Sequence, residues 1–263
     1  MTRLSVNLNK VALVRNARAG GRPGERARPR LLDAAAAVAA AGAHGLTLHP
    51  RPDRRHATPE DVRELAEWIR ATPERAGIEF NVEGNPFHGA GADYPGFLDL
   101  CADVRPDQVT LVPDARGQLT SDHGWTAAET DALRPLVAQL HHAGCRVSLF
   151  VGPDIDAVDA AAAAGADRVE LYTGPWADEH AAGAGQAALP LYVVAAQRAA
   201  AKGLGVNAGH DLDRANLGPF LAAVPGVLEV SIGQALVADA LGVGLASATR
   251  AFLDVIAGAG AES

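Results

Sequence analysis

A short β-rich segment followed by a longer amphipathic or alanine-rich segment recurs along the whole of this chain. Alternation of this kind predicts parallel strands that are joined by right-handed crossovers. Eight such units without an internal linker favour closure into a (β/α)8 barrel of the TIM type over an open sheet. We therefore predict that residues 1–263 form one barrel domain whose strands are Leu4–Leu8, Gly45–His49, Ile78–Glu83, Gln108–Val112, Arg146–Val151, Arg168–Tyr172, Gly205–Ala208 and Leu228–Ile232.

The segments between these strands predict helices that cover the barrel. Glycines stand where helices must turn back into strands, at Gly42, Gly144, Gly165 and Gly203, since glycine tolerates a positive φ. The glycine- and alanine-rich stretch Ala181–Ala188 is too short for a linker and is interpreted as a loop. The predicted helices are Arg26–Ala41, Pro59–Ala71, Thr126–His142, Asp154–Ala164, Ala187–Lys202 and Gln234–Ala257.

The composition narrows the class of protein. A length of 263 residues is normal for one α/β barrel, which typically has about 250. The formal net charge of −8 argues against nucleic acid or an anionic membrane as the main partner. Cys101 and Cys145 lack the spacing of a metal site and are expected to be small buried hydrophobes. Because the chain shows neither a signal-peptide pattern nor an apolar run near the ~20 residues of a membrane span, we expect a soluble, cytoplasmic protein.

Polar residues cluster directly after the predicted strands, where barrels of this type carry their catalytic groups. His49, Glu83 and His210 each end a strand whose preceding residues are largely apolar, so we expect their side chains to enter the site. Arg54 and Arg55 are either site residues or salt-bridge partners on a long loop. Six other histidines lie in loops or at helix ends and are expected to be solvated or structural: His44, His88, His123, His141, His142 and His180.

Glycines after the last two strands indicate a phosphate site. In barrels, backbone N–H groups after strands seven and eight commonly bind phosphate together with a helix N-terminus. Gly209 and Gly233 occupy these positions and would let the backbone approach an anion. The sequence therefore favours a phosphorylated substrate.

Motifs distributed over the chain point to one family. The H-x-R-x-D-R-R-H segment at His49–His56 and the V-N-A-G-H segment at Val206–His210 are highly specific in combination. They are accompanied by Val6–Asn7 with Arg15–Arg18, Asp107–Pro113 and Arg146–Phe150. From Leu4 to about Val243, the chain resembles the pyridoxine 5′-phosphate synthase family.

That resemblance implies a reaction and a catalytic set. The family condenses 3-amino-2-oxopropyl phosphate with 1-deoxy-D-xylulose 5-phosphate to give pyridoxine 5′-phosphate, inorganic phosphate and water. No metal or organic cofactor takes part, and the family assembles as a homo-octamer. His49 and Glu83 match its proton acceptors, and His210 matches its proton donor. Glu170 matches a transition-state stabiliser. Such residues suit the proton transfers of imine formation, enolisation and loss of phosphate and water.

The resemblance also implies contacts to both phosphorylated substrates. An acidic protein that binds two phosphates must gather arginines and backbone N–H groups at the barrel mouth. Matches to the family's contacts with the pentulose phosphate are Arg51, His56 and Thr120. Matches to its contacts with the amino-ketone phosphate are Asn7, Arg18 and Gly233. Neighbouring positions that are also predicted to line the substrate site are Asn9, Lys10, Asp211 and Gln234.

The chain departs from the family within the same predicted site. Asn9-Lys10 stands where the family has Asp-His, and Gly233-Gln234 stands where it has Gly-His. Gly-Asn-Pro rather than Met-Ala follows Glu83, while Trp125 replaces a smaller aliphatic residue and Tyr172 a histidine. Exchanging Asp for Asn and His for Lys adds roughly one to two positive charges. Together these changes suggest altered substrate recognition.

Three functions therefore stay open at the level of sequence. The first is the family's own reaction, which is favoured because the acid–base residues are present. The second is condensation of an amino ketone with a different carbonyl partner. The third is a non-catalytic barrel that binds a phosphorylated metabolite, which would need the arginines but not His49, Glu83 and His210.

Overall fold

The strands lie in sequence order around one closed sheet. A computed structural model describes residues 1–19, 27–183 and 187–261 of the chain. Each strand pairs in parallel with the next, and the eighth pairs with the first, which confirms the predicted (β/α)8 barrel. The strands are β1 (Arg3–Asn7), β2 (Gly45–Leu48), β3 (Glu79–Gly84), β4 (Gln108–Leu111), β5 (Arg146–Val151), β6 (Arg168–Tyr172), β7 (Gly205–Gly209) and β8 (Val227–Ile232).

The strands turn apolar side chains toward the surrounding helices and small polar side chains toward the barrel interior. Val6 of β1 is buried in the apolar core that strands and helices share. The preceding Ser5 has its hydroxyl oxygen 2.7 Å from that of Thr47 on β2. Farther round the barrel, the Thr110 hydroxyl donates to Asn81 Oδ1 over 3.1 Å. The interior is therefore polar and hydrogen-bonded, in place of the aliphatic layers that dominate most barrels of this type.

Charged and amide side chains fill the N-terminal end of the barrel. Arg146 donates to Gln108 Oε1 over 3.0 Å, and Gln108 donates in turn to Glu229 Oε1 over 3.3 Å. Burial, with the neighbouring Glu79 carboxylate, raises the pKa of Glu229 to about 8. Glu229 is therefore largely protonated at neutral pH, which lowers the cost of placing it inside the barrel.

Helices cover the outside of the sheet. Two short 3-10 turns lie at Pro73–Arg75 and Asp131–Leu133. No helix within the described ranges is both long and apolar enough to span a lipid bilayer. The helices are α1 (Asn9–Ala19), α2 (Leu31–Ala40), α3 (Pro59–Arg70), α4 (Phe97–Val104), α5 (Ala127–Thr130), α6 (Arg134–His142), α7 (Ile155–Ala164), α8 (Gly174–Ala181), α9 (Leu189–Ala201), α10 (Leu217–Ala223), α11 (Gln234–Val243) and α12 (Leu245–Ala261).

Two of the predicted helices are divided in the structure. The helix predicted over Thr126–His142 is interrupted by the 3-10 turn Asp131–Leu133, because Pro135 lacks the N–H group that would continue the helical ladder. The helix predicted over Gln234–Ala257 breaks at Gly244, whose φ of +81° favours glycine. Both predictions were wrong in treating each segment as one continuous helix.

Other helix predictions need smaller corrections. The sequence pattern did not indicate α1, α4, α8 and α10, which are short or rich in polar residues. The predicted first helix begins at Leu31, because Arg30 is still extended with a ψ of 133°. Its predicted start, Arg26, lies outside the described residues, as do residues 184–186 of the predicted loop.

Two side chains of α1 anchor the segment between β2 and α3. Arg15 is buried and donates twice to the Asp61 carboxylate, over 2.6 and 2.7 Å. Asp61 also accepts from the Thr58 backbone over 2.8 Å, in the capping box that begins α3. The Asn16 amide donates to the carbonyl of His56 over 2.6 Å. These contacts fix a segment that carries several predicted site residues.

Candidate active site

A cavity of about 390 Å3 opens at the C-terminal ends of the strands, where enzymes of this fold carry their active sites. Of the predicted site residues, Arg18 and Gly209 do not line it: Arg18 lies in the last turn of α1 with an exposed side chain, and Gly209 is the last residue of β7. The predicted residues that the structure brings together around the cavity are Asn7, Asn9, Lys10, His49, Arg51, His56, Glu83, Thr120, Glu170, His210, Asp211, Gly233 and Gln234.

A second hollow of about 440 Å3 lies on the outer side of the segment between β2 and α3. Its wall includes Asp53, Arg54, Tyr94 and Arg116. It contains none of the predicted acid–base residues. The cavity at the strand ends, which contains all of them, is therefore the candidate site.

Glu83 is the second-to-last residue of β3 and has a buried carboxyl group. Asn7 donates to its Oε2 over 3.2 Å, and Ser231 donates to its Oε1 over 3.4 Å. Burial raises the pKa of Glu83 to about 7, against the opposing effect of the Ser231 hydrogen bond. Both protonation states are therefore populated at neutral pH, as a general acid–base group requires.

His49 follows β2, and its ring lies between two carboxyl groups. Nδ1 is 3.6 Å from Glu83 Oε2, and Nε2 is 3.7 Å from Asp114 Oδ2. The His49 backbone N–H donates to Asn9 Oδ1 over 2.8 Å, which fixes the strand end. Burial, followed by the positive charge of Arg51, lowers the pKa of His49 to about 3. The imidazole is therefore neutral at pH 7 and has a lone pair that can accept a proton.

Glu170 lies deeper in the barrel, on β6. Its carboxyl group is buried, and Oε2 has no hydrogen-bond partner among the described residues. Burial, followed by the charge of Glu83, raises the pKa of Glu170 well above its ordinary value. A Cβ atom added at Gly209 would lie 2.3 Å from Glu170 Oε1, so this glycine leaves room for the carboxyl group. Glu170 is thus a protonated acid with an O–H group to donate.

His210 stands across the cavity at the end of β7. Its φ is +85° and that of Asp211 is +56°, in the left-handed region that few non-glycine residues adopt, although His and Asp do so more often than most. Nδ1 is 2.6 Å from Asp211 Oδ2, and Nε2 is 2.9 Å from the Thr120 hydroxyl. Its hydrogen bond to His210 lowers the pKa of Asp211. The rings of Tyr172 and His210 lie nearly perpendicular, with centroids 5.2 Å apart.

Arg51 points into the same cavity from the segment after β2. It donates to the carbonyl of Gln118 over 3.0 Å and to the carboxylate of Asp114. The Ser121 hydroxyl donates to the same carboxylate over 2.9 Å. Arg51 Nε and His56 Nδ1 are buried without a hydrogen-bond partner among the described residues.

Asp114 was missed by the sequence reasoning, and the role of Ser121 was not foreseen. Asp114 is buried and follows β4 closely, and Ser121 lines the cavity. The rule that selected the other strand ends would have found Asp114, because it too is a polar residue after an apolar strand.

The N-terminus of α11 supplies the opposite wall of the cavity. Gly233 precedes this helix, and a Cβ atom there would lie 3.1 Å from Asn7 Cβ, so glycine permits close packing with β1. Gln234 begins the helix with an exposed side chain. Burial, and then the charges of Arg51 and Arg55, lower the pKa of Lys10. Backbone N–H groups and a cationic side chain therefore meet where an anion would be stabilised.

Arg54 and Arg55 both form ion pairs on the loop. Arg54 lies 2.7 Å from Glu60, and Arg55 lies 2.6 Å from Asp53. Arg55 also donates to the carbonyl of Leu119 over 2.9 Å. These contacts support the interpretation of the two arginines as salt-bridge partners that hold the loops around the cavity.

Comparison with known proteins identifies similar chains. The family of the pyridoxal phosphate biosynthesis protein PdxJ matches residues 4–258. Pyridoxine 5′-phosphate synthase of Xanthomonas axonopodis pv. citri is 55% identical over 256 residues, which are 97% of this chain and 96% of that protein. The synthase of Xylella fastidiosa is 52% identical over 97% of this chain and 95% of its own length. Among solved structures, phosphoribosylanthranilate isomerase of Thermotoga maritima shares the fold with a TM-score of 0.56 at 14% identity, over 98% of this chain and 100% of that one.

Proposed function

The chain belongs to the family of the pyridoxal phosphate biosynthesis protein PdxJ, and from this premise we propose that it is a pyridoxine 5′-phosphate synthase. It would condense 3-amino-2-oxopropyl phosphate with 1-deoxy-D-xylulose 5-phosphate to give pyridoxine 5′-phosphate, phosphate and water. The observation that carries the proposal is the convergence of His49, Glu83 and His210, from the ends of three different strands, on one cavity.

Glu83 and His49 form the proton-accepting side of the proposed site. A carboxylate whose pKa is raised to about 7 is a stronger base than an ordinary glutamate and is still partly ionised at neutral pH. The neutral ring of His49, 3.6 Å away, offers a lone pair to a second proton. Enolisation of a ketone and its condensation with an amine both need bases of this kind.

His210 forms the proton-donating side. The Asp211 carboxylate, 2.6 Å from Nδ1, accepts a hydrogen bond from the ring and orients it. Nε2 faces Thr120 and the cavity, and a proton carried there would be the one that is donated. A leaving hydroxyl group that accepts this proton departs as water rather than as hydroxide.

Glu170 adds a neutral acid between the two sides. Because burial keeps it protonated, its O–H group stabilises an oxygen on which negative charge develops, such as an enolate or an alkoxide. The unpartnered Oε2 atom is the available group.

The two substrate phosphates are assigned to separate cationic regions. Arg51, with His56 beside it, would bind the phosphate of the pentulose. The N-terminus of α11 at Gly233, with Lys10 nearby, would bind that of the amino ketone. Arg18 remains a proposed contact on the strength of the family resemblance alone.

The test is product formation by the purified protein. The protein is incubated with both substrates, and the mixture is analysed by mass spectrometry for pyridoxine 5′-phosphate. Wild type should form the product, while His210→Gln should form it far more slowly, because removing a general acid typically costs about 10²- to 10⁴-fold. Wild-type protein that forms no product would overturn the proposal.

A different carbonyl substrate is the second candidate. Lys10 and Gln234, which depart from the family, both line the cavity and favour this alternative. Asn9 does not favour it, because its Oδ1 atom accepts from the His49 backbone, as an aspartate oxygen would. If wild type does not turn over the family substrates, phosphorylated and carboxylated ketones are the next compounds to test with 3-amino-2-oxopropyl phosphate.

The resemblance supports further proposals about the whole protein. We propose that residues 1–263 form one domain, that the protein acts in the cytoplasm as a homo-octamer, and that catalysis needs no metal or organic cofactor. Light scattering of the purified protein measures the size of the oligomer directly. Activity that survives exhaustive treatment with a chelator would support the last point, and activity that returns only with added metal would contradict it.

A further inference from the structure

Asp114 lies directly behind the acid–base and phosphate-binding side chains. Only 1% of it is exposed to solvent. Its Oδ2 atom accepts from the Arg51 guanidinium and, over 2.9 Å, from the Ser121 hydroxyl, and it lies 3.7 Å from Nε2 of His49. Arg51 and Ser121 donate to the same oxygen atom, so Asp114 acts as a hydrogen-bond acceptor here.

The groups around His49 determine which ring nitrogen carries its proton. Because Asp114 Oδ2 acts as an acceptor toward Arg51 and Ser121, the ring meets it favourably only when Nε2 is protonated. Nδ1 then presents its lone pair to Glu83 Oε2, which can donate when Glu83 is protonated. The titratable and charged groups that face His49 are Glu83, Asp114, Arg51, Arg55, His56 and His88.

We propose that Asp114 is a positioning residue that holds His49 in the tautomer protonated on Nε2 and holds the Arg51 guanidinium toward the cavity. The structural part of this inference is independent of the reaction, and its effect on turnover rests on the proposed function.

The arrangement gives Asp114 a part in proton transfer. A proton that the Glu83 carboxylate takes from the substrate passes from its O–H group to Nδ1 of His49. The transfer leaves an ionised Glu83 and an imidazolium whose Nε2–H group faces Asp114. With a pKa of about 7 for Glu83 and about 3 for His49, this transfer is uphill, and the negative charge of Asp114 lowers its cost. The reverse transfer returns the ring to its starting tautomer.

A direct test is nitrogen NMR of protein labelled with 15N-histidine at neutral pH, because the shifts of the two ring nitrogens report the tautomer. The signals of His49 are assigned by their loss in His49→Gln. Asp114→Asn is compared with Asp122→Asn, which removes a carboxylate from the same loop. Asp122 is exposed and contacts Gln118 and His123.

The Nε2–H tautomer is expected in wild type and in Asp122→Asn, whereas Asp114→Asn should show the other tautomer or a mixture. Wild type with its proton on Nδ1 would overturn the proposal, as would an unchanged tautomer in Asp114→Asn. If Asp114→Asn does not fold, the wild-type spectrum alone decides.

Steady-state kinetics give the second readout. Asp114→Asn should lower kcat by about 10-fold or more, because a carboxylate that orients a catalytic histidine is normally worth at least that much. It should also raise KM for the pentulose phosphate, because Asp114 no longer holds the Arg51 guanidinium toward the cavity. Asp114→Glu should restore part of kcat and part of the lower KM. Asp122→Asn should behave as wild type. A kcat of Asp114→Asn equal to that of Asp122→Asn would refute the positioning role, while wild-type turnover in the same assay tests the proposed function separately.

Discussion

Replacing the buried Glu83 by glutamine should change both the pH dependence of stability and the rate of catalysis, and each effect can be measured on its own. Burial raises the pKa of Glu83 from its ordinary 4.5 to about 7. Between these values the unfolded chain is mostly ionised at this position while the folded protein keeps the proton. The contribution of Glu83 to the free energy of unfolding therefore falls as the pH rises through this window and levels off above about 7. The difference of about 2.5 between the two pKa values corresponds to about 3 kcal/mol.

Glutamine has no proton to lose, so Glu83→Gln should lack this contribution. Between about pH 4.5 and pH 8, the free energy of unfolding of the variant should rise by about 3 kcal/mol relative to that of wild type. The kcat should fall by about 10²- to 10⁴-fold, the usual range for loss of a general base, with little change in KM.

Urea unfolding at about pH 5 and pH 8 measures the first effect, and initial rates measure the second. Glu67→Gln is the matched control, because Glu67 is an exposed carboxylate on α3. It should retain the pH dependence and the turnover of wild type. Equal pH dependence in Glu83→Gln and wild type would refute the account of the buried carboxyl group, and near-normal turnover would refute its role as a base.

Three further predictions concern the anchor, the phosphates and the departures from the family. Arg15→Met should lower the free energy of unfolding by about 3–5 kcal/mol, because it leaves the buried Asp61 carboxylate without its partner; a loss below about 1 kcal/mol in urea unfolding would contradict this. Arg51→Lys should raise KM for the pentulose phosphate and Arg18→Lys that for the amino-ketone phosphate, because lysine lacks the guanidinium fork; the division is wrong if both changes affect the same substrate. If the substrate preference has shifted, kcat/KM for the family pair should rise about tenfold, or ~1.4 kcal/mol, in the triple variant Asn9→Asp, Lys10→His, Gln234→His, and normal wild-type turnover of that pair would exclude a shift.

The strands were predictable because the alternation of β-rich and helical segments is a local signal. The ends of each predicted strand lie within two residues of the observed ends. The predicted bounds of β5 and β6 are the same as the observed ones. The polar barrel interior was not predicted, although Ser5, Thr47, Asn81 and Thr110 are visible in the sequence. Their partners lie on neighbouring strands, so only the register of the closed sheet shows that they bind one another.

Site residues were predictable where a polar residue at the end of a strand was enough to identify them. His49, Glu83 and His210 were selected by that rule, and the structure places them around the same cavity. The protonation states could not be predicted, because they follow from burial and from groups distant in sequence. The pKa of Glu83 is one example, and the placement of His49 between Glu83 and Asp114 is another.

The reaction itself is tested most directly by its stoichiometry. Two phosphate groups enter, one stays on the product, and one leaves. Purified wild type should therefore release one phosphate for each pyridoxine 5′-phosphate formed, and only when 3-amino-2-oxopropyl phosphate and 1-deoxy-D-xylulose 5-phosphate are both present. Phosphate release without pyridoxine 5′-phosphate, or no reaction of the pair at all, would contradict the assignment of this cavity to the synthase reaction.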